Sequence, residues 1–157
     1  MNCVSHIQQG LWVRPETRQV EYKTLDPWLE LARVLEAGCF DALFLADVVG
    51  LYDTYRGGAE TSISEGMQVP VNDPMLLIPA MASVTEHLGF AFTSSVLQTH
   101  PFTFARQVST LDHLTRGRVA WNIVTSYLPN AAASLGLGDL PSHDGRYDQA
   151  DETSRSP

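Results

Sequence analysis

The sequence predicts an α/β fold with a parallel sheet, and three observations carry that expectation. Short apolar runs without alternation recur at Phe40–Ala46, Phe90–Ser95 and Val119–Thr125. Such runs suit strands buried on both faces. Helical patterns with clear start and stop signals separate them, and strand-helix alternation at this spacing means βα units. With Met1–Val4 read as the end of a first strand, the chain holds about four such units.

Each element has its own local warrant. Asp26 is predicted to cap the first helix, Pro27 fits its first position and Gly38 supplies a left-handed stop. Trp28, Leu31, Ala32 and Leu35 recur at i, i+3, i+4 and i+7, which makes one apolar face. Asp73-Pro74 opens a second helix expected to run to His87, with Gly89 as its cap and Pro79 inside it. His100-Pro101 leads into a third helix over Phe102–Leu114, stopped by Gly117. A short helix is expected near Asn130–Leu135, and another begins over Asp144–Glu152. Thr153 to Pro157 shows no helical pattern, and the chain reads as a piece of something larger.

Composition narrows the function classes. The chain has 157 residues, long enough to bury a core, and its 44% hydrophobic content argues against disorder. Eighteen acidic residues against ten Lys and Arg give a net charge of −8, which disfavours nucleic acid as a partner. No eighteen-residue apolar stretch and no secretory leader pattern occur, so the expectation is a cytoplasmic protein with no membrane span. Cys3 and Cys39 lack metal or redox spacing, and no HExxH or HxH motif offers a metal site. P-loop, dinucleotide and nucleophile-elbow motifs are also absent. Trp12, Trp28 and Trp121 read as core residues.

Ligands in parallel α/β folds bind beyond the carboxyl ends of the strands. The polar residues where the apolar runs stop are therefore the candidates: His6, Asp47, Thr93 with Ser94 and Ser95, and Asn122 with Thr125 and Ser126. Each has a structural alternative. Asp47 can hold loop amides, Thr93 can be an ordinary strand residue, and Asn122 needs a partner for its amide wherever it is buried. His143 and Tyr147 stand four apart and share a face if a helix starts there, where they could reach an anionic group. The alternative is a surface turn capped by Asp144.

Five stretches carry a resemblance. They are Phe40–Asp47 (FDALFLAD), Thr85–Gly89 (TEHLG), Ser109–Arg118 (STLDHLTRGR), Trp121–Ser126 (WNIVTS) and His143–Glu152 (HDGRYDQADE). In this order the chain resembles the bacterial-luciferase-like flavin monooxygenases. The branch is that of nitrilotriacetate monooxygenase, pristinamycin synthase and dibenzothiophene-sulfone monooxygenase. The resemblance implies the N-terminal half of a (β/α)8 TIM barrel. It also implies reduced FMN from a separate NAD(P)H-dependent flavin reductase, with O2 and a small organic substrate as co-reactants. By the same resemblance Asp47, Thr93, His143 and Tyr147 line the flavin site, while His6 and Asn122 are the catalytic candidates. A homo-oligomer is a further expectation.

A TIM barrel needs eight βα units and about 250 residues, so the expectation is a partial barrel domain over residues 1–152 and a non-family tail over 153–157. Two rival readings stand beside the monooxygenase. One is a non-catalytic flavin-binding or association module, and the other a deazaflavin-dependent oxidoreductase of the same wider fold.

Overall fold

The computed structural model describes residues 10–155. Its centre is a three-stranded parallel sheet of order β1-β2-β3, with β1 at Ala42–Leu45, β2 at Gly89–Ser95 and β3 at Val119–Val124. Helices α1 (Asp26–Ala37), α3 (Pro74–Ala82) and α4 (Pro101–Thr115) cover one face of the sheet. The short α2 (Glu60–Ser64) lies in the long β1–α3 connection, and α5 (Pro129–Ser134) and α6 (His143–Arg155) follow β3. The parallel sheet matches the α/β expectation. The first expected strand and His6 lie outside the described residues.

Alternation along the strands sorts the side chains. Leu45, Phe90 and Phe92 turn toward the helices and join Trp28, Ala32, Ile78, Met81, Phe104 and Leu111 in one apolar core. Phe92 is fully buried, which contributes roughly 1.5–3 kcal/mol. Trp121 packs on Phe104 with ring centroids 4.4 Å apart. On the other face, Thr93 and Asn122 stand opposite each other in the β2–β3 register.

Several boundaries differ from the expectation, each for a local reason. Asp26 is the first residue inside α1; the N-cap is Leu25, which makes no side-chain cap bond. Gly38 is not left-handed, with φ −81°; Cys39 takes that conformation at φ 56°. The Phe40 N–H then reaches back to the Leu35 carbonyl at 3.1 Å. A Cβ at Gly38 would sit 3.2 Å from the Phe40 ring, a tight contact.

The second long helix stops at Ala82 rather than near His87, and Gly89 opens β2 instead of capping the helix. Two side chains take the backbone groups that would have continued it. Arg118 donates to the carbonyls of Ala82, Thr85 and Leu88. The Glu36 carboxylate accepts the N–H groups of Glu86, His87 and Leu88. At the far end α6 continues through Arg155 with Thr153 buried, although residues 153–155 show no helical pattern in sequence.

The start of α3 falls where it was expected, with Asp73 Oδ1 capping it through the Met75 N–H at 2.9 Å. The third long helix ends one residue later than expected, at Thr115, and its left-handed C-cap is Arg116 at φ 58°, with Gly117 following at a positive φ. Of the tryptophans, Trp28 is buried in the core and Trp121 packs against it. Trp12 lies outside that core, its indole N–H donating to the Glu65 carbonyl.

Candidate functional site

At the carboxyl ends of the three strands lies a cleft of about 340 Å³, within the range of small-molecule sites. Residues from β1's exit (Asp47, Val48, Val49), from β2 and its turn (Thr93, Ser95, Gln98) and from β3's exit (Ile123 to Tyr127) wall it. Tyr147, from the first turns of α6, closes one side. The chain thus brings Asp47, Thr93 and Tyr147 to one place from segments far apart in sequence.

Local chemistry fixes how each is held. Asp47 Oδ1 accepts the Val48 N–H at 2.9 Å, so part of its role is the structural one of holding a loop amide. Thr93 is buried, and its Oγ accepts from Asn122 Nδ2 across the β2–β3 pair at 3.0 Å. Asn122 therefore has the partner a part-buried amide requires, but it stands beside Thr93 on the neighbouring strand and is not among the residues that wall the cleft. The hydroxyls of Ser95 and Ser126 bond each other at 2.7 Å, and Ser126 takes a positive φ of 61°.

His143 and Tyr147 do share a face of α6, their rings 4.9 Å apart between centroids. The N-cap is Ser142, whose hydroxyl accepts the Gly145 N–H, so Asp144 is not the cap. Asp144 instead meets His143 Nδ1 at 2.9 Å. His143 is exposed and is not among the residues that wall the cleft, while its ring neighbour Tyr147 is.

Three further residues shape the rim and carry no motif. Tyr127 walls the cleft, and its hydroxyl meets that of Tyr52 at 2.8 Å. Burial of the hydroxyl, and then the bond to Tyr52, push the Tyr127 phenol up to about 12. Asn130 clasps the loop that carries Tyr52: Oδ1 accepts the Leu51 N–H at 2.8 Å, and Nδ2 donates to the Leu51 carbonyl and to Asp53. Gly50 makes room for that clasp, because a Cβ there would meet Asn130 Oδ1 at 2.5 Å and its φ is +104°. The Ser62 hydroxyl adds a bond to the Tyr52 carbonyl. The third is Gln98, in the turn after β2. Gln98 and Tyr127 lie three and two positions beyond the apolar runs Phe90–Ser95 and Val119–Thr125, close enough to have been found by extending the search past the strand ends. Among the described residues no three His, Cys, Asp or Glu side chains gather as a metal site, and no helix is long and apolar enough to cross a membrane.

The family model for luciferase-like monooxygenases matches residues 1–156. The chain belongs to the luciferase-like monooxygenase family. Long-chain alkane monooxygenase of Geobacillus thermodenitrificans (strain NG80-2) is 57% identical over 152 residues, 97% of this chain and 34% of that protein. Dimethyl-sulfide monooxygenase of Hyphomicrobium sulfonivorans is 53% identical over 152 residues, 97% of this chain and 32% of that protein. Nitrilotriacetate monooxygenase component A of Aminobacter aminovorans, from the branch the motifs resemble, is 32% identical over 95% of this chain and 34% of its own length.

Among solved structures, a long-chain alkane monooxygenase superposes with a TM-score of 0.94 at 56% identity, over 98% of this chain and 36% of the other. A riboflavin lyase crystallised with modified FMN and riboflavin superposes with a TM-score of 0.89 at 33% identity, over 98% and 34%. The chain spans about a third of the length of the curated relatives it matches, and its fold is the N-terminal part of the luciferase-like barrel.

Proposed function

We propose that this chain supplies the flavin-binding rim of a two-component monooxygenase that uses reduced FMN and O2 to oxygenate a small organic substrate. The observation that supports this most is the meeting of Asp47, Thr93 and Tyr147 around one cleft at the strands' carboxyl ends, in a luciferase-like chain. The residues present suit a flavin. Val48, Val49 and Ile123 offer an apolar surface to a flat ring, and the carboxylate and hydroxyls offer partners to its polar edge. The riboflavin lyase with modified FMN among the structural matches supports the same cofactor class.

Reduced flavin, once bound, supplies the electrons that activate O2. The chain's residues bind and orient. Because Thr93 Oγ already accepts from Asn122, its own proton is left to donate to a ligand acceptor. Asp47 serves as the acceptor on the opposite wall. His143 and Tyr147, at the start of α6, serve the anionic phosphate, where helix N–H groups and dipole favour negative charge. His6 remains a catalytic candidate outside the described residues, and Asn122 acts by setting Thr93. In this reading residues 1–152 are the partial barrel domain, the protein is cytoplasmic, and a separate NAD(P)H-dependent reductase delivers the reduced flavin. Its substrate comes to the cleft as a small organic molecule.

The test is FMN affinity of the full chain by fluorescence quenching. Asp47→Ala and Tyr147→Phe should each raise Kd about tenfold, the size of one or two lost hydrogen bonds. Wild-type affinity in both variants would remove the site assignment.

A further inference from the structure

After β1 the chain makes a long excursion, residues 46–73, before α3 begins. Connections beyond about 12–15 residues are uncommon in compact domains. The first part of this one, Asp47 to Val49, walls the cleft. The part that follows is tied to the opposite wall, where the chain leaves β3.

The short stretch from Tyr127 to Asn130 makes that tie and grips twice. Tyr127 stands in the cleft wall, and its hydroxyl meets that of Tyr52 at 2.8 Å. Asn130 takes both backbone groups of Leu51: Oδ1 accepts the N–H at 2.8 Å, and Nδ2 donates to the carbonyl at 2.7 Å. Nδ2 also donates to the Asp53 carboxylate at 2.9 Å. The second grip thus brackets the residue held by the first. Donating twice and accepting once from so short a side chain requires an amide, since aspartate has no donor and serine only one.

The contacts continue into α2, where the buried Ser62 hydroxyl donates to the Tyr52 carbonyl. Gly50 permits the close approach, because a Cβ there would lie 2.5 Å from Asn130 Oδ1 and 3.2 Å from the Leu128 Cβ.

We propose that Asn130 is a positioning residue, which locks residues 50–64 onto the β3–α5 junction as one strap and so sets the spacing of the two cleft walls. Asn130 is not among the residues that wall the cleft, so it acts through Tyr52 and Tyr127. The physical content is preorganisation: the ordering entropy of the strap is lost on folding and not on binding. The inference stands whatever the cleft binds, and its failure leaves the flavin reading untouched.

The experiment reads two signals on the full chain without flavin, amide hydrogen exchange and the ultraviolet titration of phenolate. It compares wild type with Asn130→Ala, Gly50→Ala, Tyr52→Phe and the Asn130→Ala/Tyr52→Phe double variant. In wild type the amides of Leu51, Ile63 and Glu65 should open as one unit. Those of Ile63 and Glu65 bond to the Ala59 and Thr61 carbonyls and make no contact with Asn130, so faster exchange there reports the strap as a whole. Asn130→Ala and Gly50→Ala should each speed it about tenfold, the size of one or two lost hydrogen bonds. The Tyr127 phenol, raised to about 12 in part by Tyr52, should titrate lower in both variants, by as much as in Tyr52→Phe. The double variant should lower it no further, because both changes break one contact.

Three results would overturn the proposal. Wild type in which Leu51 exchanges like a free amide while Ile63 and Glu65 stay protected would do so, and that measurement requires no variant to fold. Asn130→Ala that speeds Leu51 alone, with Tyr127 titrating as in wild type, would reduce the clasp to a local bond. A double variant in which Tyr127 falls a second time would make the two grips independent.

Discussion

Thr93 and Asn122 act as a pair, and the pair explains why a threonine on a central strand and an asparagine inside an apolar run occur together. The 3.0 Å bond from Asn122 Nδ2 satisfies the amide and commits the Thr93 oxygen as acceptor. Asn122→Ala should therefore weaken flavin binding about three- to tenfold while Thr93 itself is untouched, read by the same quenching titration. Both residues were legible as polar interruptions at strand ends. Tyr52 and Tyr127 were not, because a loop tyrosine carries no periodic signal and the two are 75 positions apart.

Their contact makes a spectroscopic prediction. Tyr127 should ionise at about 12, seen in the ultraviolet absorbance of phenolate, and Tyr52→Phe should bring it part of the way back toward 10. The sign follows from the raised value: folding is unpenalised below pH 10, and stability falls as pH rises from there through about 12.

At the scale of elements, two side chains organise the connection between α3 and β2. Arg118 donates to the carbonyls of Ala82, Thr85, Leu88 and Thr115 and to the Thr85 hydroxyl. It thereby places a cation at the carboxyl ends of α3 and α4, where the helix dipoles favour it. Arg118→Met strips those part-buried acceptors of their donors and should cost on the order of 3 kcal/mol in urea unfolding.

Glu36 does the complementary work on the N–H groups of residues 86–88. Burial pushes its carboxyl up, but the bonds from Leu88, Glu86 and His87, with the charge of His87, outweigh that and hold it below its ordinary 4.5. A lowered value means that its stabilisation is full above about pH 4.5 and fades as pH falls through the folded-state value. Glu36→Gln should therefore melt lower than wild type near neutral pH, and the gap should close in acid. These tethers also mark the limit of local reading. Start signals such as Asp73-Pro74 and His100-Pro101 placed α3 and α4 correctly, while α3's end depends on Arg118 and Glu36, which are distant in sequence.

Across the whole molecule, a layer of helices covers one face of a parallel sheet, and the strands' carboxyl ends gather the candidate ligand groups. The strand-helix alternation already implied this arrangement, since unalternated apolar runs joined by helices have few other solutions. The partial-barrel reading came from the ordered motifs instead, as three parallel strands do not by themselves distinguish a barrel from an open sheet. The opposite sheet face leaves Phe44 on β1 exposed, so whether the chain stays a discrete species bears directly on its function.

Whether this chain alone holds a flavin is decided by an anaerobic titration of the purified 157-residue chain with reduced FMN, run alongside size-exclusion chromatography. Saturable binding of one flavin per chain by a discrete soluble species is the expected result. A well-behaved species that takes up no flavin, or protein found only in the void volume, would contradict it.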